Sequence, residues 1–228
     1  MEAIILAGGF GTRLREMVPD LPKPMAPIAG RPFLEILLLS LSRKGFTRVI
    51  LSLGFMSVKI SDYFGKRFAG MDLVYVVEDS PLGTGGAVRL GLSICQKDHV
   101  FIFNGDTFLD LEVGAIEQLW RNHGHPIIVG RQVPDTARYG RLLTEANYIK
   151  GFTEKGVSGS GLINAGCYIF DRRQLDNFHL NEAFSLEYDF LVNLVAQTDV
   201  DVFLTEGLFI DIGIPSDYKL AQTLLADF

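Results

Sequence analysis

The sequence predicts an α/β protein whose core is a mixed, mainly parallel sheet with helices on both faces. Three observations lead there. The first half alternates short, continuously apolar runs with amphipathic segments, the rhythm of parallel strands buried on both sides. The second half changes to strand-like segments separated by short turns, which adds antiparallel pairing. The 228 residues are 48% hydrophobic and 21% charged, a composition that supports one substantial buried core and argues against disorder.

The elements follow in order. Residues 3–6 read as a short buried strand and 32–44 as a helix, with Pro32 in its first turn and Gly45 as its stop. Strands are expected at 48–53, 73–77, 100–103 and 127–130, separated by helices at 58–64, 86–94 and 114–122. Segments 141–145, 148–153 and 162–170 are strand-like, 187–196 and 216–225 helical, and 200–204 and 209–212 strands. There is no linker, low-complexity tract or repeat, so residues 1–228 are expected to form one domain whose second half elaborates the site. The helix from Pro32 is apolar enough for core packing or for a homodimer interface, and core packing is the expectation.

Charge and cysteine usage narrow the function classes. A net charge of −6 opposes a nucleic-acid surface but leaves room for a small anion in a locally positive pocket. Met1-Glu2-Ala3-Ile4-Ile5-Leu6 has no basic leader, and no apolar run approaches a membrane span, so the expectation is a cytoplasmic protein with no membrane partner. Cys95 and Cys167 lie in apolar contexts without metal-ligand spacing and are expected as buried reduced thiols. His123 and His125 flank Gly124 before Pro126 and read as a turn, and His99 and His179 show no partner.

Chemistry concentrates after the first strand. Leu6-Ala7-Gly8-Gly9-Phe10-Gly11-Thr12-Arg13-Leu14 puts three glycines where a strand ends, so that backbone N–H groups can approach a phosphate, and adds a forked cation in Arg13. The only Gly-Lys pair, Gly65-Lys66, is followed by Arg67, which excludes a P-loop. Leu14 stands where a dinucleotide fingerprint needs its third glycine, which counts against a nicotinamide dehydrogenase. A plain glycine turn explains the glycines equally well. Lys23 lies between Pro22 and Pro24, which hold its backbone extended and could aim its ammonium at a fixed point or simply display it on the surface. Asn104-Gly105-Asp106 places a carboxylate just past a strand, where an open α/β sheet faces its ligand crevice. Asp211 offers a second carboxylate in a similar apolar setting; each could instead be structural or a helix cap.

Together, Gly-Gly-x-Gly-Thr-Arg-Leu, then Pro-Lys-Pro and Gly-x-Pro, resemble the signature of the sugar-phosphate nucleotidyltransferases. The resemblance implies a Rossmann-like three-layer αβα nucleotidyltransferase fold. It implies that Leu6, Ala7, Gly8, Gly9, Gly11 and Thr12 hold the nucleotide, that Arg13 meets the β- and γ-phosphates, and that Lys23 neutralises the α-phosphate. It adds Glu78, Gly83, Thr84, Gly85 and Asn104 to the nucleotide site, although the run 78–87 also reads as a helix-capping turn. Gly105, Tyr139, Gly140, Glu154, Lys155, Asn164 and Gly166 match the sugar-phosphate side, although Glu154-Lys155 also reads as an exposed ion pair. Asp106 and Asp211 become the Mg²⁺ pair, with Arg13, Lys23 and Asp106 as the catalytic set. The partners implied are a nucleoside triphosphate and a sugar 1-phosphate, joined by direct displacement at the α-phosphorus with loss of pyrophosphate. The runs 22–28, 81–87, 104–108 and 209–218 are most similar to bacterial D-glycero-D-manno-heptose 1-phosphate guanylyltransferases, which make GDP-heptose for surface glycans. Relatives using mannose or glucose 1-phosphate share the core. A catalytically silent nucleotide-sugar sensor is the rival reading, and no β-helix module is expected after Phe228.

Overall fold

The computed structural model describes residues 1–9, 14 and 17–228. Its first half runs β1 (Glu2–Leu6), a 3-10 turn (Lys23–Met25), β2 (Pro27–Ile28), β3 (Arg31–Pro32), α1 (Phe33–Arg43), β4 (Arg48–Leu53), α2 (Ser57–Phe64), β5 (Arg67–Phe68), β6 (Met71–Val77), α3 (Gly83–Leu92) and β7 (His99–Asn104). The remainder is β8 (Thr107–Leu109), α4 (Val113–His123), β9 (Ile127–Val133), β10 (Leu142–Glu145), β11 (Tyr148–Phe152), β12 (Gly161–Asp171), a π-helical segment (Leu186–Leu191), α5 (Val192–Gln197), β13 (Asp201–Thr205), β14 (Phe209–Asp211) and α6 (Pro215–Leu224).

The main sheet has ten strands in the order β10-β11-β13-β9-β12-β7-β1-β4-β6-β5. β7, β1, β4 and β6 are mutually parallel. Strand alternation explains the three layers. Ala3 and Ile5 of β1, with Val49, Leu51, Phe101 and Phe103, face a core completed by Leu34, Leu37 and Leu38 of α1 and Ile116 of α4. Ile4 points to the other side, where Ile50 and Ile102 meet Val88 and Leu92 of α3 and Phe190 and Leu194. Ile4 and Ile5 are both fully buried, and each such side chain contributes about 1.5–3 kcal/mol of hydrophobic stabilisation. The apolar residues of α1 other than the half-buried Leu39 are thus enclosed in the chain's own core.

β12 is antiparallel to both β7 and β9, so the sheet is mixed, as expected, with the reversed strand inside it. Several other elements depart from the sequence expectation. The helix expected at 187–196 opens as a π-helical turn, where the Ser185 hydroxyl accepts from the Tyr188 N–H at 3.2 Å. α3 starts earlier than expected, at Gly83. β2, β3, β5 and β8 have two or three residues each, too few for a periodicity to register. Two small ribbons, β2–β3 and β8–β14, flank the sheet. Phe108 and Ile210 from β8–β14, Phe33 and Ile36 from α1, and Tyr218 and Ala221 from α6 form a third core cluster. That cluster fixes residues 106–107 against 211–212.

Candidate active site

β1, β4, β6 and β7 end on one side of the sheet, and the chain after each end builds a cavity of about 360 Å³. Leu6, Ala7, Gly8 and Gly9 supply one wall. The Ala7 N–H donates to the Ser52 carbonyl at 2.8 Å, which carries the β1 direction past its last strand residue. Gly8 passes so close to the loop after β4 that a Cβ on Gly54 would stand 2.8 Å from the Gly8 carbonyl oxygen. Gly9 is exposed, with no atom of the described residues within 4 Å of its Cβ direction. Gly11, Thr12 and Arg13 lie outside the described residues.

Glu78 follows β6 and lines the same cavity. Its Oε2 accepts the Leu82 N–H at 2.9 Å, and its Oε1 would stand 3.3 Å from a Cβ on Gly8. Gly83 and Thr84 line the cavity as well, and the Thr84 hydroxyl accepts the Leu186 N–H at 3.0 Å. Gly85 is placed differently. It is buried beneath the Phe184 ring, 2.2 Å from where a Cβ would sit, and donates its N–H to the Phe184 carbonyl at 3.0 Å. Its small size serves the docking of α3 against residues 182–184.

Asn104, Gly105 and Asp106 close the floor. The Gly105 N–H donates to the Leu6 carbonyl at 2.9 Å, welding the ends of β7 and β1. Lys23 arrives from the opposite wall. Its backbone opens the 3-10 turn, with the Met25 N–H donating to Pro22 O at 2.8 Å, while Pro22 alone keeps the extended conformation expected of Lys23. The Lys23 ammonium donates to Asp106 Oδ2 at 2.5 Å.

Asp211 stands beside this pair. β8 and β14 register Thr107 against Asp211, and the Ile212 N–H donates to the Asp106 carbonyl at 3.0 Å. Asp211 Oδ1 accepts the Gly213 N–H at 2.7 Å, and a Cβ on Gly213 would stand 3.2 Å from Lys23 Nζ. Burial first, and the neighbouring Asp106 charge second, raise the Asp211 carboxyl above its ordinary value against the opposing pull of Lys23, the Gly213 N–H and Arg138. Two carboxylates therefore converge beside one lysine, and their oxygens are the ligand type that a hard divalent cation takes.

A second cavity of about 290 Å³ adjoins the first and shares Asn104 and Asp106 with it. Tyr139, Gly140, Glu154, Lys155, Asn164, Gly166 and Asp211 all line it, while Gly105 lines only the first. Gly166 adopts φ +74° at the irregularity where β12 shifts register against β9, and a Cβ there would meet Asn104 Nδ2 at 2.4 Å. The Gly166 N–H donates to Asn164 Oδ1 at 3.0 Å, and Asn164 Nδ2 donates to the Tyr168 hydroxyl at 2.8 Å. A Cβ on Gly140 would stand 2.6 Å from the Thr153 carbonyl oxygen, so this glycine lets two loops close on each other. Burial pushes the Tyr139 hydroxyl up to about 12, with the Asp211 charge adding to it, so Tyr139 is a neutral hydrogen-bonding group at physiological pH.

The sequence reading omitted Arg138. Its guanidinium hydrogen-bonds Asp217, lies 3.5 Å from Asp211 Oδ2, and stacks 5.2 Å above the Tyr139 ring. Its position next to Tyr139-Gly140 was the available signal. Glu187 and Tyr188, from the π-helical segment, also line this cavity. Among the described residues no helix is long and apolar enough to cross a membrane. Cys95 and Cys167 are buried and unbridged.

The Nucleotidyl transferase family profile matches residues 2–227. The chain is 38% identical over 232 residues to the D-glycero-alpha-D-manno-heptose 1-phosphate guanylyltransferase of Aneurinibacillus thermoaerophilus, covering 100% of both chains. It is 38% identical over 219 residues to the enzyme of that name from Campylobacter jejuni, covering 96% of this chain and 97% of that one. A mannose-1-phosphate guanylyltransferase of Mycobacterium tuberculosis is 31% identical over 224 residues, 96% of this chain and 62% of that one. HddC from Yersinia pseudotuberculosis, solved alone and complexed with GMP-PN, superimposes with TM-scores of 0.87 and 0.86 at 36% and 35% identity, covering 97% of each chain. The Nucleotidyl transferase match spans nearly every residue, and the chain belongs to that family.

Proposed function

We propose that this chain is a cytoplasmic D-glycero-α-D-manno-heptose 1-phosphate guanylyltransferase, acting as one domain, that joins GMP from GTP to the sugar phosphate and releases pyrophosphate. One observation carries the reaction: two cavities, one walled by a glycine loop and one by sugar-sized polar groups, meet at Asp106, where Lys23 and Asp211 converge. The 38% identity to heptose enzymes, against 31% to a mannose enzyme, supports the heptose, and the HddC complex with GMP-PN supports the guanine nucleotide.

In this reading the backbone of Gly8 and Gly9, with Gly11 and Thr12, cradles the triphosphate, and Arg13 neutralises its β- and γ-phosphates. Lys23 turns from Asp106 towards the α-phosphate as charge develops there. Glu78, Thr84 and Asn104 orient the nucleoside. Glu154, Asn164 and Tyr139 hydrogen-bond the sugar, and Lys155 holds its phosphate so that a phosphate oxygen lies in line with the α-phosphorus. No protein nucleophile is needed, because the substrate phosphate attacks directly. Asp106 and Asp211 fit Mg²⁺, since the carboxylate pair carries more negative charge than Lys23 offsets, and the ion when bound supplies charge neutralisation on phosphate oxygens.

The test pairs each nucleoside triphosphate with a panel of sugar 1-phosphates and measures pyrophosphate. The expected result is turnover selective for GTP with the heptose 1-phosphate, lost in Asp106→Asn at saturating Mg²⁺. Intact turnover in that variant refutes the metal role, and absence of Mg²⁺-dependent pyrophosphate release from every pair favours the sensor.

A further inference from the structure

The end of the sheet opposite the catalytic crevice carries a cluster that the reaction leaves unused. Ile127 of β9 and Phe101 of β7 both lie against Ile169 of β12, so the chain just before β9 is level with the start of β7, whereas Asn104 and Asp106 are at its far end. There α4 terminates. The Gly124 N–H donates to the Trp120 carbonyl at 2.7 Å, and Gly124 takes φ +67°, a left-handed cap that turns the chain sharply between His123 and His125. The imidazole centroids lie 5.5 Å apart. Asp201, the first residue of β13, is held beneath them because its N–H donates to the Pro126 carbonyl at 2.9 Å.

The three side chains converge. His123 Nδ1 lies 2.8 Å and His125 Nδ1 3.6 Å from the same Asp201 oxygen, Oδ2, and the three ligand atoms all fall within 4.8 Å of one another. Tetrahedral coordination with bonds of about 2.0–2.2 Å sets neighbouring ligand atoms about 3.3–3.6 Å apart, close to the His125 separation and a small outward shift from the His123 one. The Asp201 side chain is 1% exposed, and among the described residues neither its Oδ1 nor the buried His125 Nδ1 has a hydrogen-bond partner. A buried carboxylate short of donors is costly unless a charge satisfies it. The histidines remain partly exposed, which leaves a route for an ion and room for a water as fourth ligand.

We propose that His123, His125 and Asp201 form a binding site for a divalent first-row transition ion of the zinc class, separate from the Asp106–Asp211 centre. Imidazole nitrogen with one carboxylate selects this class over Mg²⁺, which prefers an all-oxygen shell. The bound ion ties the C-terminal end of α4 to the chain just before β9 and to the first residue of β13, so its binding stabilises the fold and does not depend on nucleotide.

The test titrates Co²⁺ into the metal-free full chain and follows visible d–d absorption, with Zn²⁺ displacement and melting temperature as second readouts. The expected result is one intensely absorbing, near-tetrahedral Co²⁺ per chain, displaced by Zn²⁺, and a higher melting temperature with Zn²⁺. Affinity should fall by about 100-fold in His123→Ala and in His125→Ala, both partly exposed positions that leave the core intact, and should persist in Asp106→Asn. The proposal is overturned if the Co²⁺ band survives in both histidine variants, disappears in Asp106→Asn, or is absent from the unsubstituted chain. Because the readout is spectroscopic, it is independent of whether the chain makes GDP-heptose.

Discussion

Replacing Gly105 by alanine tests how tightly the glycine loop after β1 and Asp106 are held together. Gly105 does not have a positive φ, so the substitution adds a methyl group without backbone strain. The methyl carbon would stand 2.5 Å from the Leu6 carbonyl oxygen and 3.1 Å from Ala7 Cα, both backbone atoms that no rotamer change can move. Real Cβ atoms essentially never approach a heavy atom within 3.0 Å, so the ends of β1 and β7 must separate by at least about 0.5 Å, the difference from 2.5 Å. Overpacking of this kind costs about 1–3 kcal/mol, which lowers the melting temperature by roughly 2–12 °C in a domain of this size. The separation also moves Asp106 away from Gly8 and Gly9. A misplacement of about 1 Å costs up to roughly 100-fold in rate, so about half that shift should lower kcat on the order of 10-fold. Pyrophosphate release at saturating substrates gives kcat, and thermal melting gives stability. If kcat stays within a factor of two while the melting temperature falls, the two walls are not positioned by this contact and the reasoning fails.

Asp211→Asn should move stability and activity in opposite directions. The folded-state pKa of Asp211 is raised, so its favourable contribution is fully present below the unfolded carboxylate value and is lost as pH rises through the folded value. At neutral pH the ionised side chain is therefore a liability in the metal-free protein. The asparagine variant should melt higher there, with the gap closing as pH falls, while its Mg²⁺-dependent turnover drops; a lower melting temperature at neutral pH contradicts the assigned cause. Arg138→Gln should raise KM for the sugar 1-phosphate by roughly 10–100-fold, the equivalent of one charged hydrogen bond of about 1.5–3 kcal/mol, if its guanidinium reaches the substrate. Its partly exposed pairs with Asp211 and Asp217 should contribute only about 1 kcal/mol or less to stability, so an unchanged KM with a large melting shift assigns it to the scaffold.

The sequence made some of this site readable because local pattern and position coincide. The apolar run of β7 continues to its last residues, so Asp106 had to fall just beyond a strand end, and the glycines after Leu6 had to fall at the next one. The nearly continuous apolar runs of β1 and β4 likewise foretold a sheet buried on both faces. Other features had no local trace. The partnership of Asp106 with Asp211 depends on β8 and β14, three residues each, and only resemblance to a family pointed to it. Gly85 looked like a ligand-facing glycine, but its smallness answers to the Phe184 ring, a contact set by distant chain. His99 showed no partner in sequence, yet its Nε2 lies 2.8 Å from Glu117 and its ring stacks on Trp120. The His123-Gly124-His125 turn was legible as a turn, but Asp201, which gives it chemistry, enters through the register of β13 against β9.

The charge arrangement constrains the order in which substrates can occupy the crevice. Among the described residues, Lys23 and Arg138 are the cations hydrogen-bonded or ion-paired at the catalytic centre, and they face Asp106, Asp211 and Asp217. A triphosphate approaching this centre meets three carboxylates against two cations, both already paired, so its α-phosphate cannot replace Asp106 as the partner of Lys23 without leaving an uncompensated carboxylate in a half-buried site. Added positive charge between Asp106 and Asp211 removes that obstacle and frees the ammonium to turn. Nucleotide and divalent cation should consequently bind with positive coupling, each raising the affinity of the other by the same factor, and neutralising Asp211 as asparagine should weaken that coupling.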